Sequence, residues 1–163
     1  MKPIPEEIVE KTWQEIAGFS PDKAKKEMVK IGNSQPELLA FVAESPKEMG
    51  REVRELAIYM FVVVYRMFQK REGKIKKISH EEIIECYEQN EGIMERLEGA
   101  HEKFLDRIAS AQTSRQPHVV NYVVDALMEE DDEREDAVQL TEEQKGFIYL
   151  LVKTVVDVLD QFG

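Results

Sequence analysis

Cysteine is almost missing from this chain of 163 residues: Cys86 stands alone, so no internal disulfide can form and nothing points to an oxidising compartment. Six prolines and eight glycines are few enough for long helices to run uninterrupted. Those glycines, at positions 18, 32, 50, 73, 92, 99, 146 and 163, form neither G-x-G-x-x-G nor G-x-x-x-x-G-K-[ST], which excludes the glycine-loop phosphate sites. No serine sits in G-x-S-x-G. Long apolar runs are absent too. The most apolar one, Leu56 to Tyr65, has ten residues, well short of the roughly 20 that span a bilayer. It reads as the most buried helix of the fold. The start, MKPIPEEIVE, has no apolar core of signal-peptide length, so a cytoplasmic location is expected.

Positive charge is scarce in one half only. Residues 1–79 hold 15 Lys+Arg and 12 Asp+Glu, or +3; residues 80–163 hold 7 and 21, or −14. The net charge of −11 therefore belongs to the C-terminal half, which repels nucleic acid and attracts basic partners.

What remains is a mixture of 42% apolar and 34% charged residues, suited to one globular domain over 1–163. The periodicity is helical. Ile8, Val9, Trp13 and Ile16 share a side of a helix over 5–17. Ser20-Pro21 opens a second helix, expected to end at Gly32-Asn33-Ser34, and a third covers 35–44. Ser45-Pro46 repeats the cap-and-proline signal and is expected to open a long fourth helix that stops near Gly73. After a connector over 74–79, Ser79 and Glu82 form a capping box. From Tyr87 the apolar side steps in alternate threes and fours through Asn90, Met94, Leu97, His101, Phe104, Ile108 and Ala111, with Gly92 as a candidate break. Helices also fit 116–128 and 141–162, the last capped by Thr141. Val119 to Val124 is strand-like in composition but not in spacing.

The chain also matches itself. Glu6-Glu7-Ile8-Val9-Glu10 matches Glu81-Glu82-Ile83-Ile84-Glu85, and Lys30-Ile31-Gly32 matches Arg107-Ile108-Ala109. Gln35-Pro36 and the helix after it match Gln116-Pro117; Ile58-Tyr59-Met60-Phe61-Val62 matches Ile148-Tyr149-Leu150-Leu151-Val152. The offsets of 75, 77, 81 and 90 rise in order, so insertions in the second copy suffice. The expected fold is all-α, with seven to nine helices in one compact domain. It is read as a tandem duplication of a four-helix unit over 5–73 and 79–162, with the two last helices packed at the centre. Neither the tetratricopeptide nor the ankyrin consensus is present.

No catalytic, cofactor or metal constellation is legible. Glu82 and Glu85 disfavour a Cys86 thiolate, which reads as a structural thiol. Glu98-x-x-His101 is the helical pair of di-iron bundles, but no second pair exists, and a hydrogen-bonded histidine at the boundary of the core accounts for His101. His80 reads as a surface residue at a helix start and His118 as a first-turn residue. Arg66, Lys70, Arg71, Lys74, Lys76 and Lys77 form a basic cluster that could contact a partner or an anion. Glu129, Glu130, Asp131, Asp132, Glu133, Glu135 and Asp136 form an acidic loop that could contact a basic partner, though without calcium-loop spacing.

The expected function is a protein-interaction or regulatory helical module without catalytic activity of its own. One alternative is an enzyme or small-ligand-binding protein whose site gathers dispersed Glu, Tyr and His residues. Another is nucleic-acid binding through the basic connector 66–77, which the acidity disfavours. The expected partner is a protein or a second copy, in a homodimer where basic cluster meets acidic loop.

Overall fold

A computed structural model describes residues 3–97, 115–129 and 140–163. Those residues form seven α-helices and no strand. Helix α1 covers Glu6–Ala17 behind Pro5, with Glu6 and Glu7 at its positive end, and buries Val9, Thr12 and Ile16. Helix α2, Pro21–Ser34, starts where expected: the Ser20 side chain accepts from the Lys23 amide. It does not stop at Gly32. A Cβ there would lie 2.6 Å from Leu39 Cδ2, so this glycine lets the next helix approach closely instead of ending α2. The helix closes at Gln35, whose amide donates to the Ile31 carbonyl.

Helix α3 is Pro36–Glu44. The Ser45-Pro46 signal does not open the long helix. Ser45 closes α3 by donating its amide to the Phe41 carbonyl, and Pro46 leads a short 3-10 turn, Lys47–Met49. Gly50 follows at φ +105°, and only then does α4 begin, at Arg51–Glu72. The left-handed backbone at Gly50 turns the chain, and a residue with a Cβ adopts it at a cost. Helix α4 is buried over most of its circumference and ends at Gly73, also at positive φ.

Helix α5, His80–Leu97, opens with the expected box: the Glu82 amide donates to Ser79 Oγ, and the Ser79 amide to Glu82 Oε1. It passes through Gly92 unbroken. Helix α6 is Pro117–Glu129, so Val119 to Val124 is helical, and α7 is Glu142–Phe162, capped by Thr141 with Gln144. The later part of the apolar stripe, with Glu98 and His101, lies outside the described residues.

The two apolar helices α4 and α7 pack against each other at the centre. Helices α1 and α3 lie on α4; α5 and α6 lie on α7; and across the middle α1 meets α6 while α3 meets α5. This set of neighbours is unchanged when α1, α3 and α4 are exchanged for α5, α6 and α7. Two buried glutamines obey the same exchange. Gln35 Oε1 accepts the Ile78 amide at 2.9 Å, two residues ahead of α5, and its Nε2 donates to the Lys76 carbonyl. Gln116 Oε1 accepts the Ile4 amide at 2.8 Å, two residues ahead of α1, and its Nε2 donates to Asp160. Each glutamine thus satisfies a buried backbone donor that no helix or sheet could supply with an acceptor.

Candidate functional site

The basic cluster is divided by the fold. Lys70 Nζ lies 2.7 Å and Arg66 Nη2 3.5 Å from Glu15 of α1. The Lys70 hydrogen bond, ahead of the charges of Lys70 and Arg66, holds the Glu15 carboxyl below its ordinary value despite partial burial. Arg71 pairs with Glu72 at 2.8 Å and stands over the Phe68 ring; Lys76 reaches Glu82 at 3.6 Å. Lys74 and Lys77 are exposed and make no ion pair among the described residues. Arg66 Nε is buried without a hydrogen-bond partner, alone in this among the side-chain nitrogens and oxygens of the described residues. Of the acidic loop, Glu129 is the last residue of α6, and Glu130, Asp131, Asp132, Glu133, Glu135 and Asp136 lie outside the described residues.

Cys86 is buried on α5, and burial, then the charges of Asp157 and Glu85, push its thiol up to about 11. Beside it, Asn90 donates to Asp157 at 2.9 Å, and Lys153 holds the same carboxylate at 2.6 Å. This polar seam pins α5 on α7 and is internally satisfied. His80 is exposed, with Nδ1 3.9 Å from Glu37. Among the described residues no group of His, Cys, Asp and Glu is arranged to hold a metal ion. Nor is any helix among them long and apolar enough to cross a membrane.

Of the concave surfaces, a polar one of about 530 Å3 between α2 and α4 is lined by Glu27, Lys30, Arg66 and Gln69, and two others carry aromatic side chains. One is a groove of about 480 Å3 between α1, α2 and α4. Ile16, Phe19 and Met28 form one wall, Ile58, Tyr59 and Val62 the other, and Lys25, Arg51, Arg54 and Glu55 the rim. Tyr59 is 39% exposed although it sits in the most apolar run of the sequence. Phe19, Met28 and Ile58 are half-buried, packed against the core from its edge. Lys23 covers the outer face of Phe19, with Nζ 4.5 Å from the ring centre. The second surface is a cleft of about 240 Å3 between α1 and α6. It brings Glu6, Glu10, Asp125 and His118 together with Trp13 and Tyr122.

Neither surface is legible in the sequence. The groove's one signal is an excess: the run from Leu56 to Tyr65 is apolar all round its helix, more than a helix with one open side needs. Which side stays open depends on how α1 and α2 lie on α4. An all-helical domain with an apolar surface groove is therefore what the described residues define. The chain matches no protein-family model, no curated protein and no solved structure.

Proposed function

We propose that this chain is a protein-interaction module without catalytic activity of its own, and that it receives a segment of its partner in the groove between α1, α2 and α4. The observation that carries the reading is the open apolar surface around Tyr59, rimmed by charge. The exposed Tyr59 is continuous with half-buried Phe19, Met28 and Ile58 and bordered by charge, and rimmed apolar patches are what partners cover. A benzophenone cross-linker replacing Tyr59 should join the chain to a partner in its host cell, and the same group at exposed Lys11 should not. Equal cross-linking at both positions, or none at Tyr59, overturns the proposal.

A second reading has its own support. The cleft between α1 and α6 gathers Glu, His and Tyr side chains from distant parts of the sequence, as a dispersed small-ligand site or active site requires. A ligand that raises the melting temperature of the native chain but not of His118→Ala would favour it. The nucleic-acid reading is weaker, because Arg66, Lys70, Arg71 and Lys76 already hold carboxylates. The homodimer through the basic cluster would rest on Lys74 and Lys77.

The segments 5–73 and 79–162 are best read as copies of one four-helix unit. The exchange of helix neighbours and the reciprocal glutamines support this. A crystal structure in which superposing 35–71 on 116–162 sets Tyr59 more than one helical turn from Tyr149 would refute it.

A further inference from the structure

We infer that the occupant of the groove is an acidic amphipathic helix of a partner protein; this rests on the reading of the groove as a protein-binding site. Three observations specify the occupant.

The first is charge. Lys25, Arg51 and Arg54 surround the apolar floor, and the one carboxylate among them, Glu55, is already held by Arg51 at 2.9 Å. Lys25 and Arg54 make no ion pair among the described residues. The rim is thus cationic on a chain whose net charge is −11. A helix carrying carboxylates beside its apolar stripe meets opposite charge along the rim, and a basic helix meets like charge, which costs affinity and slows encounter.

The second is shape. Arg51, Glu55, Ile58 and Val62 fall on one stripe of α4, three turns long. At 1.5 Å per residue the stripe extends about 16 Å. An occupant matching that length is a helix of about three turns, anchored by apolar side chains at i, i+3 or i+4, and i+7.

The third is a difference between the two long helices. Ile58 and Tyr59 on α4 match Ile148 and Tyr149 on α7 in the self-alignment of the sequence. Tyr149 is 5% exposed and Ile148 fully buried, so the chain covers that surface itself. On α4 the same surface is left open by the described residues, with Tyr59 39% exposed, and this is where the partner's helix is placed.

The test uses the full chain and two fluorescein-labelled peptides of about 18 residues, long enough to overhang the groove at both ends. Both carry leucine at i, i+3, i+4, i+7 and i+11; the other positions are Glu and Gln in one, Lys and Gln in the other. Anisotropy should show the acidic peptide binding roughly tenfold or more tightly at low salt, with the preference shrinking as salt screens the rim. Arg51→Glu with Arg54→Glu should reverse the preference, and Ile58→Glu should abolish binding of both peptides. Equal affinity for the two peptides, lost on Ile58→Glu, overturns the acidic occupant and leaves the groove reading standing. Binding of neither, or binding indifferent to Ile58→Glu in a variant with native circular dichroism, overturns both. Sedimentation of the chain alone covers the remaining occupant: self-association that Arg51→Glu with Arg54→Glu abolishes would put a second copy in the groove and overturn the partner.

Discussion

Replacing Gln35 by alanine tests whether the buried glutamines hold the two halves of the fold together. Gln35 is fully buried, 43 positions along the chain from the Ile78 amide it accepts. It also donates to the Lys76 carbonyl at 2.8 Å and contacts the Tyr65 hydroxyl at 3.3 Å. Truncation leaves the Ile78 amide in an apolar site with no acceptor. An orphaned buried donor costs about 1–3 kcal/mol. The Lys76 carbonyl belongs to an exposed residue and can turn to water at little cost. Losing four heavy side-chain atoms from a packed site adds a cavity term of about 1 kcal/mol. The expected loss is therefore about 2–4 kcal/mol, which for a chain of this size lowers the melting temperature by about 4–16 °C. Gln35→Met separates the two contributions: it refills the volume but leaves the donor orphaned, and should recover about 1 kcal/mol. Urea unfolding followed by circular dichroism reads the difference as a lower midpoint at unchanged slope. A Gln35→Ala midpoint within about 0.5 kcal/mol of the native chain would refute the reasoning, because the Ile78 amide would then have another acceptor.

Three further outcomes follow from single sites. Gly50→Ala places a Cβ at φ +105°, where nothing lies within 4 Å of it, so the cost is backbone strain alone, about 1–2 kcal/mol by urea unfolding, with the fold unchanged. Glu15→Gln removes a carboxyl whose folded value is lowered; its contribution is complete above the unfolded value near 4.5 and is lost as pH falls through the folded one. The Glu15→Gln and native melting curves should therefore differ at pH 7, by less than about 1 kcal/mol because the pair is partly exposed, and should converge as pH falls below 4.5 and through the lowered folded value, or as salt rises. Cys86, raised from 9.0 to about 11, should hold about 100-fold less thiolate than an ordinary cysteine at pH 8, so its alkylation should be slow and follow unfolding in urea; fast labelling of the native chain would contradict its burial.

The helices themselves, and most of their ends, were determined by the sequence alone. Ser20 before Pro21, Ser79 with Glu82, Thr141 with Gln144, and Gly73 after a basic last turn act within one helical turn, through side-chain acceptors, the helix dipole and left-handed glycine. The central packing of α4 on α7 was legible as well, since both are long helices with extended apolar runs and the self-match sets them at the ends of the two copies. Tertiary structure decided whatever depends on a distant neighbour. Gly32 looks like a helix end until Leu39 of α3 is seen to need its missing Cβ, and Ser45-Pro46 looks like a helix start until Gly50 supplies the turn. Arg66 and Lys70 look like a free cationic patch, yet Glu15, 55 positions from Lys70, lies against them once α1 is laid on α4. The groove has the same origin. The residues of α4 carry no mark of which side stays uncovered, because burial is set by the angle and distance at which α1 and α2 pack on it, and these arise from side-chain contacts among three helices together.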